Sequence, residues 1–589
     1  MHGCARLGRY LTTMAMSLAL LACGSTSDRD LPTLSFTVEP AVSTTGFANA
    51  PLAYQLTATT SLNADFLVTL DDTQGNHSFE IFFNTPAEAR SVNDYDLTLL
   101  GLRPDTTYTI TVTARTADQI ETPASDTLTI TTPSLPADFP VFTLLDAMPD
   151  DMEPGFTLMS TRRKDGSAAY TVIVDNEGQV VWYSQPSGPA RTERAVTRNL
   201  LVINETDGQI SEIDMRGEVR SQDFSGLTED IFLAFHSAQS MPNPSIGGSQ
   251  AVDTAEFHDT VTGFGATNSY FVSTRSTPQL VSNFPLDEGV NPGARGSVDV
   301  RDEPIVEFAI LDGEVVETYN FLDFLQPDRI GYDGTEVLPG GGANWADVNE
   351  VILADGIASL IASLRNQDAI VKFRRTRDGN GDVDVDYILA PPENWDATRS
   401  ALLLPAPTGD PDFQWPYHQS SVELISELGG VDNLLVFDNG NRRASPFTGQ
   451  TPLDATINES RAVEFIVDQT DADNPTLEQP WQWGPGEMIY SPIAGDADRL
   501  PNGNTLITFG GICTEGGIAS DNVDVCDSSA RIIEIMTEST TDDPPVVTNT
   551  EVFDLLVEGD MASTGYVVDR SQRIDSLYIS TATTLTITP

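Results

Sequence analysis

Between residues 34 and 132 apolar and polar positions alternate in short runs, among them "AYQLTAT", "FEIFF", "YTITVTART" and "DTLTITT". A period of two sends successive side chains to opposite faces, so each run predicts a strand with one buried and one exposed face. Turn residues separate the runs, and the segment reads as a small β-sandwich with Tyr108 packed at the start of its strand. Residues 133–140 read as a linker. From 141 to 589 the recurring unit is a strand pair closed by an Asp- or Asn-Gly type of turn, as in "YTVIVDNEGQVVWY", "LLVINETDGQISEIDMRGEV", "VEFAILDGEVVETY" and "LPNGNTLITFGG". Such turns supply the positive φ that a tight hairpin needs. "DGIASLIASL" has the length of a short helix, but its neighbours predict a central strand. Hairpins without alternating helices predict an all-β chain: a small β-sandwich (34–132) followed by a β-propeller (141–589).

Charge narrows the function. The formal net charge is −56, with 87 acidic against 31 basic residues, and the only lysines are Lys164 and Lys372. Phosphate backbones are bound through basic patches, so nucleic acid is excluded as a partner. No Gly-rich loop ending in Gly-Lys-Ser/Thr occurs, which argues against a nucleotide-dependent enzyme, and no cofactor is expected. "RDGNGDVDVD" has acidic residues at the spacing of a calcium loop over 378–386. Leu389 stands where the bidentate Glu is required, so a polar hairpin turn is the expectation there.

The first residues predict export. A basic start at Arg6 and Arg9, an apolar run over 11–22 and the sequence Leu21-Ala22-Cys23 resemble the bacterial lipobox, implying a signal peptide 1–22, lipidation of Cys23 and a tether 23–33. The apolar run is too short to span a bilayer as a mature helix. The expected location is a bacterial membrane, periplasmic or cell-surface, touched only through the lipid. Cys513 and Cys526 are then the remaining thiols, and in an oxidising compartment they are expected to pair as a disulfide.

Two resemblances follow from longer stretches. "LLGLRPDTTYTITVTARTADQIETPASDTLTITTP" resembles a fibronectin type III domain. The region from 141 on resembles the bacterial aryl-sulfate sulfotransferases that work without PAPS. The carriers, in order, are "PGFTLMS", His236 followed by "MPN", "NWADVNEVILADGIASLIASLRNQDAIVKF", "YHQSSVEL" with "NLLVFDNGNRRA", "LPNGNTLITFGG" and "GYVVDRSQRIDSLY". The resemblance implies a six-bladed propeller that moves a sulfuryl group from an aryl sulfate donor to a phenolic acceptor through a sulfohistidine. It leaves a homodimer open. It also implies roles: His418 as nucleophile, Arg365 on the sulfuryl oxygens with Asn349 in support, and His236 binding the group or moving the phenol's proton.

The residue types suit that chemistry. Sulfuryl transfer gathers negative charge on peripheral oxygens, which a fixed guanidinium stabilises, and imidazole is nucleophilic near neutrality. Trp345, Trp415 and Tyr417 are expected as aryl-facing walls; His77 and His258 read as surface and loop residues. One position departs from the family's Trp-x-His-x-Asn pattern, for Asp347 stands where the histidine belongs. A buried carboxylate can carry a proton, but it can also repel the sulfuryl group. The rival expectation is therefore an eroded surface propeller that binds ligands without turnover.

Overall fold

The computed structural model describes residues 33–588 apart from 86–92, 196–197, 205–209, 223–230, 241–268, 289–292, 310–314, 339–340, 377–382, 540–546, 560–564 and 581–582. The leader, Cys23, its tether, His258 and most of the 378–386 loop lie outside the described residues.

The alternating N-terminal runs become two sheets. Phe36–Val42, Tyr54–Thr60 and Asp94–Leu99 form one; Asp65–Asp72, Ser78–Phe83, Thr107–Arg115 and Leu128–Thr131 form most of the other. In Thr107–Arg115 every second residue is buried, which puts Tyr108, Ile110, Val112 and Ala114 into the shared core and the threonines outside. His77, expected at the surface, is buried instead. The turn before Ser78–Phe83 folds its ring onto Phe79 (centroids 4.9 Å apart), and Nδ1 lies 2.9 Å from the Tyr108 hydroxyl. Burial disfavours the imidazolium and Arg103 adds to the effect, so its pKa falls to about 4.

Two further departures concern how the halves join. Thr583–Thr588 pairs antiparallel with Ser78–Phe83, from Thr583 opposite Phe83 to Thr588 opposite Ser78, so the last strand belongs to the N-terminal sheet. That sheet edge would otherwise expose a row of backbone donors and acceptors. Nor is 133–140 a loose linker, for Phe139 is buried against Tyr170 and Tyr183, with ring centroids 4.6 and 5.2 Å away.

Six antiparallel sheets of four or more strands then follow one another. The first contains Phe156–Arg163, Ala169–Val174 and Val180–Ser184 and is completed by the late strand Tyr566–Ile574; the second begins with Ala190–Arg194 and the third with Ile231–Ser240. The fourth begins with Val348–Ala354, the fifth with Ser421–Leu428 and the sixth with Asp496–Arg499. Val348–Ala354 touches Ile231–Ser240 on one side and Ser421–Leu428 on the other. Ser421–Leu428 reaches Asp496–Arg499, which reaches Tyr566–Ile574, which reaches Ala190–Arg194. Successive inner strands that meet side by side, with one sheet built from both ends of the chain, are the organisation of a β-propeller.

The ambiguous "SLIASL" is the strand Ser359–Leu364, buried throughout. Leu360, Ala362 and Leu364 join one apolar cluster and Ile361 another. A strand between two packed neighbours has no polar face, so its sequence lacks the alternation that marks the sandwich. Cys513 and Cys526 are disulfide-bonded, with Cα atoms 5.4 Å apart.

Candidate active site

Where the inner strands converge they enclose a cavity with about 180 Å³ of space for water. The ladder is broken at two places that face it. In Val348–Ala354 the register slips between Val348 and Glu350, leaving Asn349 as an extra residue, and in Tyr566–Ile574 it slips between Val568 and Ser571, around Asp569 and Arg570. Bulges of this kind re-aim side chains, and Asn349, Asp569 and Arg570 all line the cavity.

Arg365 lines it too, at the head of the turn that follows Ser359–Leu364. Its Nη1 donates to Asn366 Oδ1 at 3.1 Å, its Nη2 donates to the Pro492 carbonyl at 3.2 Å, and Asp347 Oδ2 stands 3.4 Å from Nη1. Backbone bonds from Arg365 N to Asp347 O and from Asn366 N to Ala346 O tie the arginine turn to the Asp347 segment. The carboxylate that replaces the expected histidine is thus a direct neighbour of the guanidinium.

His418 is fully buried and does not line the cavity, although Ser420, two residues on, does. Its Nδ1 is 3.0 Å from Asp368 Oδ1, and its Nε2 is 3.0 Å from the Tyr332 carbonyl and 3.5 Å from Asp333 Oδ2. Its backbone N–H donates to the same Asp368 Oδ1 at 2.9 Å. Burial alone would push the His418 pKa down, but the charge of Asp368 and the bonds to Asp333 and Asp368 outweigh it, against a smaller opposing effect of Arg365, and hold it up at about 9. Burial would raise the Asp333 carboxyl, yet His418, Arg365 and Arg442 together hold it well below the usual carboxylate range. At neutral pH the ring is therefore an imidazolium between two carboxylates.

The backbone here is unusual. Asp333, Asp347, Asp368 and His418 all have left-handed φ, at 65°, 52°, 49° and 53°. Non-glycine residues adopt that region rarely, and strain of this sort collects where a surrounding structure over-determines it. Glu288 helps to do so, accepting from Asp333 N at 2.9 Å and Thr335 N at 2.7 Å. Gly331 lets the segment come down on Asp368, since a Cβ there would stand 2.4 Å from Asn366 O and 3.0 Å from Asp368 Oδ2. Gly331→Ala should therefore lift residues 331–333 off the histidine and cost about 1–3 kcal/mol by overpacking. A thermal midpoint unchanged from the parent would show that the segment has room to spare.

Not every expected group is where the sequence suggested. Trp345 is buried in the apolar core with its indole N–H donating to Arg329 O, and Trp415 packs outward against Phe413, with centroids 4.9 Å apart. Neither these nor Tyr417 lines the cavity. The apolar lining is instead Ile493, Ala494 and Gly495, where Ala494 and Gly495 have φ of 56° and 132°. His236 lies in Ile231–Ser240, whose side chains are outside the described residues. The sequence reading missed Asp333, Asp368, Arg162, Arg191, Asp569 and Arg570; of these, Asp368 stands within "NWADVNEVILADGIASLIASLRNQDAIVKF", and Asp569 and Arg570 within "GYVVDRSQRIDSLY".

Fold and site together define an all-β propeller-type protein with an arginine-lined cavity between its inner strands. Residues 288–555 match the family model described as Arylsulfotransferase (ASST). The resemblance read from the motifs is thereby shown for that segment, just under half of the chain, and it supports an aryl sulfotransferase enzyme in the general sense. No curated protein matches the chain. Among solved structures, it is similar to a putative 6-phosphogluconolactonase from Bacteroides fragilis (11% identity, covering 87% of this chain and 98% of that one, TM-score 0.28). It is also similar to a Pseudomonas aeruginosa periplasmic gluconolactonase (13%, 65% and 92%, TM-score 0.28) and to a Synechocystis apocarotenoid oxygenase mutant (9%, 71% and 82%, TM-score 0.31).

Proposed function

We propose that this protein carries a sulfuryl group from an aryl sulfate to a phenol through a sulfohistidine at His418. The observation that carries the reading is the arginine turn: Arg365, Asn349 and Ser420, all within the segment that matches the family, line one cavity, and His418 lies against that turn through Asp368. Each of the six sheets is taken as one blade. Once His418 has lost a proton, a ring-nitrogen lone pair attacks sulfur, the sulfur–oxygen bond to the aryl group breaks, and the phenolate leaves with its electrons and takes up a proton. The second phenol then attacks sulfur, the sulfur–nitrogen bond breaks, and the phenol's proton passes to a base. Asp347 and His236 are the groups proposed to move these protons.

Arg365 meets the charge that grows on the sulfuryl oxygens, and Asp368 keeps the far ring nitrogen protonated. Because the ring is covered, residues 332–333 must yield one nitrogen to the cavity during the cycle. Export and lipid anchoring at Cys23 belong to the same proposal.

That buried ring also favours the second reading, a propeller that binds aryl anions without turnover. The two are separated by incubating the protein with a fluorogenic aryl sulfate, with and without a phenol. Expected are phenol-dependent release, one sulfuryl group on the His418 peptide by mass spectrometry, and a drop of roughly 10²–10³ in kcat for Arg365→Gln. Release that survives His418→Asn, or no transfer to any phenol from neutral to alkaline pH, would overturn the transfer reading.

A further inference from the structure

Arg365 occupies one side of the cavity, and the other side carries cations of its own. Arg162, from Phe156–Arg163 in the first sheet, and Arg191, from Ala190–Arg194 in the second, both line it. On the proposed reading of six blades, the first sheet stands opposite the fourth, which carries Arg365. Both arginines converge on Asp569: Arg162 through Nε at 3.1 Å and Nη2 at 3.2 Å, Arg191 through Nη2 at 3.6 Å. The Asp569 side chain is 1% exposed and lines the cavity with them, so it anchors both guanidiniums at its wall. Arg570 lies beside them and donates to Glu193 at 2.7 Å and, through Nη2, to Glu350 of the fourth sheet.

The lining thus gathers four guanidiniums and two carboxylates, with Glu193 and Glu350 paired to Arg570 beside it, in a chain whose formal charge is −56. A guanidinium recognises carboxylate and sulfuryl oxygens alike through its fixed fork of donors. The same lining includes the apolar stretch Ile493, Ala494 and Gly495, where a Cβ on Gly495 would meet the Phe437 ring at 2.2 Å. Apolar lining suits an aryl ring, and the cavity's 180 Å³ compares with the roughly 150 Å³ that holds one benzene. Arg162, Arg191 and Asp569 all lie outside 288–555, so the family match does not account for them.

We infer that Arg162 and Arg191 form a second anion seat, and that the aryl substrate carries a ring-bound anionic group, such as a carboxylate, across the ring from its sulfuryl group. The inference rests on the sulfotransferase reading for the identity of the first seat. The test compares 4-carboxyphenyl sulfate with 4-carbamoylphenyl sulfate, which differ in charge but little in shape. Expected in the parent protein is a kcat/KM at least about tenfold higher for the carboxylate, the scale of one charge-assisted bond pair. Arg162→Gln and Arg191→Gln should bring that ratio toward one, and Arg191→Lys should restore part of it. A parent ratio near or below one overturns the seat, as does a ratio that survives both Gln variants.

Calorimetry with 4-sulfobenzoate, which cannot transfer its group, keeps the two readings apart. Binding that Arg191→Gln weakens about tenfold, in a protein that turns over no aryl sulfate, supports the seat while sinking sulfuryl transfer. No binding to the parent protein sinks the seat, whatever the turnover.

Discussion

With His418 in its proposed role as nucleophile, turnover should climb about tenfold per pH unit from pH 6 toward 9 and level off above it, because only the neutral ring attacks and its pKa is held at about 9. At pH 7 only about one molecule in a hundred then has a ring able to attack. Asp368→Asn removes the larger of the two influences that raise the pKa and should move the midpoint down by a unit or more. Stability should run the other way. A raised histidine pKa stabilises the fold fully below its unfolded value near 6.5, and the contribution is lost as pH rises through about 9. The loss is on the order of 3 kcal/mol.

The buried carboxyls of Asp302, Glu423 and Asp496, each held at about 7 by burial, also favour the protonated native state, but their share is lost lower, between about 4 and 7. The difference in thermal midpoint between the parent and His418→Gln therefore isolates the window from 6.5 to 9. Rising activity and falling stability across one window, both absent in the variant, would mark a single group. A flat rate profile, or a midpoint near 6.5, would mean that neither carboxylate governs the ring.

These carboxylates show where a sequence stops being readable. His418, Arg365 and Asn349 take their roles from motifs with order along the chain; Asp368 shares a motif with Arg365 but has no role in it, Asp333 stands in none, and both meet His418, 50 and 85 residues further on, only through the fold. Nothing local distinguishes Asp368 from any other turn aspartate. The aromatic walls went wrong for a related reason. Residue type alone pointed to Trp345 and Trp415, but direction decides which core a side chain enters, and both stand in connecting segments between strands, where no periodicity gives that direction. The alternation of the sandwich was legible because one face of each sheet meets solvent. The pairing of Thr583–Thr588 with Ser78–Phe83 was not, since it joins the two ends of the described chain and leaves no local signal. Asp347 was legible as a substitution, while its contact with Arg365 needed coordinates.

Asp438→Leu should be among the most damaging single changes, destabilising the protein by about 3–5 kcal/mol, the usual consequence of removing one partner from a buried ion group. Asp438, in the "VFDNG" turn, is fully buried. Its Oδ2 accepts from Arg443 Nη1 and from Arg461 Nε, both at 2.8 Å, while its Oδ1 accepts from Tyr417 N at 2.9 Å. Burial would raise this carboxyl, but the two guanidiniums hold it below the usual range. Arg461 is 1% exposed and cannot turn to water when its anion goes. Arg443 is nearer the surface, with 14% of its side chain exposed, so Arg443→Gln should cost distinctly less while leaving the Asp438–Arg461 pair intact. The third bond links stability to chemistry, because Tyr417 is the residue before His418. Asp438→Asn keeps the side chain's shape and an oxygen for Tyr417 N, but loses the charge. Denaturant midpoints should therefore fall for both Asp438 variants, whereas turnover measured well below the midpoint should fall further for Leu than for Asn. Equal turnover losses would mean that the Tyr417 bond does not position the histidine, and a midpoint within about 1 kcal/mol of the parent would mean that the arginines find other partners.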